Sequence, residues 1–429
     1  MAETALTGDD VAVLGRDIRT APERIAAYCV TRHAPIYEDV ATLVESMAYW
    51  DRRIPRHRAT GWARQLQIEV PVYERSCFAR PDNQAALADA AWFLTGDQWS
   101  FNFIARRGPV PDRQEHLGLP KAPIAHIVPF SDGLDSFAQA KLSAHCHGRD
   151  GVILVRSGLG RERSFQDLIT LRIPRRFSGS RMRETSYRTR PLVFYTMAAI
   201  GAAITGAGAV VIGENGQGSI GPACLPFADE WWFRSAHPGF IARWSAFLAL
   251  VMGSSVRFEQ PQLWRTKGEV LSELAAGGLT AGWELTSSCA TRPNGRHGRR
   301  ACGVCGGCLL RAVASHSAGL SPSEGDYAFD LRAAQAVAHG RSGEALPMSA
   351  GERAVAVRAI AAMVDFARLL DSPGRETVVT REARLVDPKA PSVAGQSLVR
   401  LLGQHTREWD QFLDHLPNQS WVLEIVSQL

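Results

Sequence analysis

Between residues 124 and 252 short apolar runs alternate with stretches of helical periodicity. Ile124–Phe130, Gly151–Val155, Leu168–Ile173 and Ala209–Ile212 read as strands, and helical patterns lie near 134–145, 191–204 and 239–252. Strands buried on both faces lose in–out alternation and become continuous branched aliphatic runs. The pattern therefore predicts an α/β fold, a parallel sheet wrapped by helices with ligands at the C-terminal ends of its strands. Pro191–Gly213 is long and uncharged enough to raise the question of a membrane span. It reads instead as a buried helix, Leu192–Ile204, stopped by Gly206-Ala207-Gly208 and followed by a strand. Upstream, strand-like runs at Leu66–Tyr73 and Trp99–Arg106 mix with helical stretches and end in the turn-rich Arg107-Gly-Pro-Val-Pro-Asp, which predicts an accessory α+β domain over residues 1–118. From about 319 onward, Ala354–Leu370 and Leu398–Leu416 repeat with helical spacing, closed by Asp371-Ser-Pro-Gly and Pro417, so residues 319–429 are expected to be a helical domain. The alternating region, 119–318, is the expected central domain.

The 429 residues have room for two or three cores, and 45% hydrophobic with 21% charged residues excludes a disordered chain. The net charge of +5 is too small to demand nucleic acid as a partner. Only Lys121, Lys141, Lys267 and Lys389 are lysines, so a lysine inside a motif gains weight. The start, Met1-Ala-Glu-Thr-Ala-Leu, lacks a basic and an apolar signal region, and a cytoplasmic location is expected. Of eight cysteines, four crowd into 289–308, which in such a chain points to metal before disulfide.

The strand Ile124–Phe130 runs into Ser131-Asp-Gly-Leu-Asp-Ser136 and then an amphipathic helix start. Such a turn offers backbone N–H groups, hydroxyls and a helix dipole to an anion, and so builds a phosphate cradle from Ser131, Asp132, Gly133, Leu134, Asp135 and Ser136. No Gly-Lys-Ser/Thr occurs, which argues against a Walker-type NTPase. Ser288-Cys289 is followed after twelve residues by Cys302-Gly-Val-Cys305-Gly-Gly-Cys308-Leu-Leu-Arg311. Four thiolates at Cys289, Cys302, Cys305 and Cys308 suit a closed tetrahedral zinc site, which is structural; iron–sulfur ligation, a redox dithiol and unliganded thiols are the alternatives.

The turn resembles the S-G-G-x-D-S loop of PP-loop ATP pyrophosphatases, with Asp132 in place of the first glycine; aspartate tolerates positive φ better than most residues. Turn and cysteine run together resemble the 7-cyano-7-deazaguanine synthase (QueC) family. Arg188-Thr-Arg190-Pro-Leu sits where that family has a P-G-R-N turn, with Arg190 on the family arginine, and Val256-Arg-Phe-Glu-Gln-Pro-Gln-Leu-Trp264-Arg-Thr-Lys267-Gly-Glu resembles its R-F-E-T-P…K-x-E segment, over about 124–315. The resemblance implies a PP-loop sheet with a zinc knuckle, use of ATP and Mg²⁺ beside Zn²⁺, and adenylation of a 7-deazaguanine carboxylate with AMP as product. It assigns Arg190 and Lys267 as cationic clamps. The long flanks make the chain similar to larger QueC-like proteins of bacterial antiphage defence (Qat and CBASS types), in which the activated base would pass to an amine on a partner protein. The alternatives are an authentic nitrile synthase using ammonia, an inactive PP-loop scaffold holding a nucleotide or a partner, and a tRNA-directed adenylase motivated by nine arginines between Arg161 and Arg190.

Where the family has G-V-N-x-x-D-Y-S-G-Y-P-D-C, expected to help recognise the base, this chain has Gly213-Glu-Asn-Gly-Gln-Gly-Ser219-Ile-Gly-Pro222-Ala223-Cys224, and Ala223 replaces an acid. Gly216-Gln-Gly218-Ser-Ile-Gly221 matches a dinucleotide fingerprint, but Pro222 and Pro226 are expected to prevent the helix that fingerprint must open. Trp231-Trp232-Phe233 reads as a packing cluster with some capacity to stack on a base.

Overall fold

The computed structural model describes residues 12–29, 31–57, 59, 61–112, 122–158, 168–178, 182–225, 230–253, 256–290, 300–321, 327–339 and 345–429. The chain divides into two compact units, one of residues 1–131, 139–213 and 226–261, the other of 132–138, 214–225 and 262–429. The boundary expected near 118 falls outside the described residues, as do Arg161, Arg163 and Arg181 of the arginine-rich stretch.

In chain order the strands of the first unit are β1 (Ile18–Thr20), β2 (Gln65–Val72), β3 (Gln98–Ala105), β4 (His126–Pro129), β5 (Val152–Ser157), β6 (Ile169–Ile173), β7 (Arg175–Phe177), β8 (Ala209–Val211) and β9 (Phe258–Glu259). Its longer helices are α1 (Pro35–Arg53), α2 (Pro81–Thr95), α3 (Leu134–His147, whose first residues belong to the second unit), α4 (Arg190–Thr205) and α5 (Pro238–Met252). Five strands form a parallel sheet in the order β6-β5-β4-β8-β9, with His126 opposite both Val152 and Ala209. Every residue of β5 and of β8 is buried, which explains their unbroken aliphatic runs. The chain moves from β4 outward to β5 and β6 and then returns to β8 on the other side of β4. The turn after β4 therefore leaves the sheet at its topological switch point, where open α/β sheets bind ligands. β2 and β3 pair in parallel around α2, and β2 alternates exposed and buried positions.

α4 is buried on nearly all sides and ends at Gly206, whose φ of +69° lets the chain turn directly into β8. Among the described residues no helix is long and apolar enough to cross a membrane.

The second unit contains α6 (Lys267–Ala276), α7 (Gly306–Ser317), α8 (Ala350–Arg368), α9 (Arg375–Val386), α10 (Pro391–His415) and α11 (Trp421–Val426). The helical C-terminal region expected from periodicity is present. One of its cores joins Leu309 and Val313 of α7 to Ile360 of α8, Trp409 and Phe412 of α10, and Val422 of α11. Another sets Ile220 and Cys224 against Phe366, Leu398, Leu401 and Leu402. The buried stripe of α10 runs Ala394, Leu398, Leu401, Leu402, His405, Glu408, Trp409 and Phe412, so two polar residues occupy apolar-stripe positions.

Candidate functional site

A four-residue turn, Phe130 to Gly133, joins Pro129 at the end of β4 to Leu134 at the start of α3, so of the expected cradle Ser131, Asp132 and Gly133 lie in the turn and Leu134, Asp135 and Ser136 in the first turn of the helix. Asp132 adopts φ +60°, the left-handed conformation that aspartate tolerates better than most residues. Its carbonyl oxygen accepts from the Ser287 N–H at 2.9 Å. Ser136 Oγ and the Phe137 N–H both donate to the Gly133 carbonyl, each at 3.0 Å, so the first turn of α3 closes on Gly133. Leu134 is buried and anchors the turn, while Ser131 is exposed.

Asp135 is held from two sides. Lys267 Nζ lies 2.6 Å from its Oδ2, and Asn215 Nδ2 donates to its Oδ1 at 2.7 Å. Lys267 is the first residue of α6 and is itself buried. Thr266 caps that helix in a reciprocal capping box with Glu269. The Lys267 N–H, one of the orphan donors of a helix start, is taken up by Gln217 Oε1 at 2.7 Å. Thr266 Oγ1 also donates to Glu408 of α10, and that carboxylate sits so close to Gly268 that a Cβ there would approach it to 2.7 Å. Burial pushes the Glu408 carboxyl above its ordinary range.

Neither Asn215 nor Gln217 was assigned a role at Asp135 or Lys267 from the sequence. They belong to the segment expected to read a base, yet Asn215, Gln217, Ser219, Ala223 and Cys224 are all buried in the second unit. The Ala223 carbonyl accepts from Arg381 Nη2 at 2.8 Å. The expectation that no helix opens here is corrected: Gly216–Ser219, with Asn215 accepting from the Gly218 N–H, and Gly221–Cys224 are two four-residue helices. Pro222 stands in the first turn of the second, where its missing N–H costs nothing. Gly216 has no room for a side chain, since a Cβ would lie 2.4 Å from the Leu263 carbonyl oxygen.

Cys289, Cys302, Cys305 and Cys308 place their sulfurs within 4.8 Å of one another. Cys302–Cys308 is 3.8 Å and Cys305–Cys308 is 3.5 Å, close to the roughly 3.8 Å edge of a tetrahedron with Zn–S bonds of about 2.3 Å. The donor set therefore fits zinc. The Ala290 N–H points at Cys305 Sγ and the Cys302 N–H at Cys289 Sγ, as ligand-orienting groups do. The hydrogen bond with Cys289 works to raise the Cys305 thiol, but those with Cys302, Cys308 and Ala290 N–H outweigh it and bring it down. Contacts with Cys289, Cys302 and Cys305 push Cys308 up. Gly307 is required: a Cβ would fall 2.0 Å from the Ser288 carbonyl oxygen. Arg311 of α7 donates to the Thr286 and Trp283 carbonyls, fixing the strand of chain that brings in Cys289. Since Ser287 of that segment also holds Asp132, the cysteine site braces the turn between β4 and α3.

Arg190 belongs to the first unit, at the start of α4, exposed and over the Phe194 ring. The preceding Thr189 donates through both N–H and Oγ1 to Asp51 Oδ2, and Asp51 sits with Arg64 and Asp97 in a fully buried ion network. Arg175 pairs with Glu45 and Arg188 with Glu230, so these two members of the arginine-rich stretch are spent inside the fold. Trp231 packs edge-on against Trp92, in keeping with a packing cluster.

No curated protein matches the chain. Residues 165–319, which carry Arg190, Lys267 and the four cysteines but neither the turn at 130–133 nor helices α8–α11, match the family model described as queuosine biosynthesis protein QueC, and over that stretch the chain is QueC-like.

Proposed function

We propose that the protein activates a carboxylate by adenylation. A carboxylate oxygen attacks the α-phosphorus of ATP and pyrophosphate leaves with the bonding pair. An amine nitrogen then attacks the acyl carbon, AMP leaves, and the amine proton passes to solvent. The observation that carries this reading is the ion pair of buried Lys267 with half-buried Asp135, 2.6 Å apart, with Asp135 in the first turn of the helix that follows a strand and a small-residue turn. A cation stored against a carboxylate at that place is ready for phosphate oxygens, and preorganised charge lowers the barrier to a departing phosphate.

In this reading Ser131, Asp132, Gly133, Leu134, Asp135 and Ser136 cradle the pyrophosphate, with Arg190 and Lys267 as cationic clamps. Mg²⁺ accompanies the triphosphate and offsets the Asp132 carboxylate. Zn²⁺ on the four cysteines is structural. The QueC-like stretch supports a 7-deazaguanine carboxylate as substrate. The burial of Ala223 supports base recognition by residues other than those of the 213–225 segment. Chain on both sides of that stretch supports an acceptor larger than ammonia, an amine of a partner protein, in bacterial antiviral defence. The alternative products are the nitrile made with ammonia or, for an inactive scaffold, none; the positive φ of Asp132 favours a working turn over a lesion.

The test is AMP and pyrophosphate release by zinc-replete protein with Mg-ATP, with and without 7-carboxy-7-deazaguanine. Stimulation by the acid supports adenylation. Silence in both the protein and an Asp132→Gly variant sinks it.

A further inference from the structure

Helix α10 lies outside the QueC-like stretch, yet one of its side chains ends a hydrogen-bond chain that reaches Lys267. His405 Nε2 is 3.2 Å from the Met363 carbonyl oxygen of α8. A carbonyl only accepts, so Nε2 carries the ring proton and Nδ1 of the neutral ring keeps its lone pair. That lone pair faces Gln217 Nε2 at 2.8 Å. An acceptor at this point fixes which way the amide faces: its nitrogen to His405, its oxygen to the Lys267 N–H at 2.7 Å. Turning the amide over would set oxygen against lone pair at one end and NH₂ against N–H at the other. His405, Gln217 and Lys267 are 1%, 6% and 5% exposed, so water does not repair such a mismatch.

Around Lys267 the chain closes into a ring. Gln217 follows Asn215 by two residues, Asn215 donates to Asp135, and Asp135 accepts from Lys267 Nζ. We propose that His405, acting through Gln217, is a positioning residue for Lys267: it sets the start of α6 so that Nζ stays on Asp135 until phosphate oxygens arrive. The ring is kept neutral by burial, which pushes its pKa down to about 4, and the Phe366 ring packs on it at 4.8 Å. The role given to Lys267 rests on the adenylation reading, whereas the positional chain is independent of it.

Two substitutions of similar size separate positioning from packing. In His405→Asn the side-chain oxygen falls near the former Nδ1 and still accepts from Gln217. In His405→Gln the side chain reaches toward Met363 and leaves no acceptor at Nδ1. Two quantities are read: the rate at which an amine-directed acylating reagent modifies Lys267, followed by peptide mass spectrometry, and kcat and KM for ATP in AMP release. His405→Gln should free the lysine, raising its modification rate roughly fivefold, the equivalent of one hydrogen bond, while His405→Asn stays within about twofold of the parent. Misplacement of the clamp should lower kcat/KM for ATP roughly tenfold in His405→Gln alone. Equal modification rates in the two variants would overturn the proposal. If neither folds, Gln217→Met carries the same expectation for Lys267, and an unchanged rate there overturns it too. AMP release that is absent from both the parent and Asp132→Gly defeats the adenylation reading, and the labelling contrast still decides the positioning.

Discussion

Removing the charge of Lys267 probes the centre of the site. In Lys267→Met the carboxylate of Asp135 loses Nζ at 2.6 Å from one oxygen and keeps Asn215 Nδ2 at 2.7 Å on the other. Breaking a fully buried pair costs about 3–5 kcal/mol, because the surviving charge is left uncompensated in a low dielectric. Here the side chains are 7% and 18% exposed and one hydrogen bond survives, which places the cost at about 2–3 kcal/mol. For a unit of this size each kcal/mol is worth roughly 2–4 °C, so the melting temperature of the second unit should fall by roughly 5–10 °C. Asp135→Asn should cost a similar amount by stranding the lysine. The double variant, with neither charge, should be more stable than the sum of the single effects requires, by a coupling of about 2 kcal/mol. Thermal unfolding of all four proteins at pH 7, followed by calorimetry, measures this cycle. Additivity within about 0.5 kcal/mol would show that the pair does not form in solution and would remove the ground for treating Lys267 as a stored clamp. In the AMP-release assay the same Lys267→Met variant should lose about 10²–10³-fold in kcat, the scale of removing one preorganised electrostatic group.

Gly307→Ala would drive a Cβ to 2.0 Å from the Ser288 carbonyl oxygen, displacing Cys289; bound zinc, measured by atomic emission, should fall well below stoichiometric, and exchange of the Ser287 amide that holds Asp132 should accelerate. At φ +60° Asp132→Gly should be neutral or stabilising by up to about 1 kcal/mol, while Asp132→Ala should be destabilising, a contrast that thermal denaturation resolves. His405 is neutral when buried, with a pKa near 4 against the usual 6.5, so the unfolded chain takes up the proton first as pH falls. Its contribution is intact above about pH 6.5 and is lost between there and about pH 4, by up to about 3 kcal/mol; His405→Asn should flatten that part of the stability–pH curve.

The sheet was legible in the sequence because its signals are local. Strands buried on both faces cannot alternate, so β5 and β8 announce themselves as aliphatic runs, and Gly206 ends α4 where only a residue without a Cβ turns left-handed cheaply. The cysteine site was legible for the same reason, since three of its ligands fall within one turn and a helix start. Two-residue β9 carries too short a pattern to be read. The short helices at Gly216–Ser219 and Gly221–Cys224 were misjudged because Pro222 was taken as a stop, when proline in a first turn is a start.

By itself, then, the sequence determined the parallel sheet, the small-residue turn between β4 and α3, the four-cysteine cluster and the helical C-terminal region. Each rests on residues within a few positions of one another, where backbone sterics and side-chain chemistry act without long-range help. Tertiary structure alone decided what holds Asp135 and Lys267, because those contacts join residues 80, 132 and 188 positions apart. One trace of them lay in the pattern: His405 and Glu408 interrupt the apolar stripe of α10. Buried polar groups must find partners. Which partners they find depends on how separate helices pack, and that depends on the whole core closing at once.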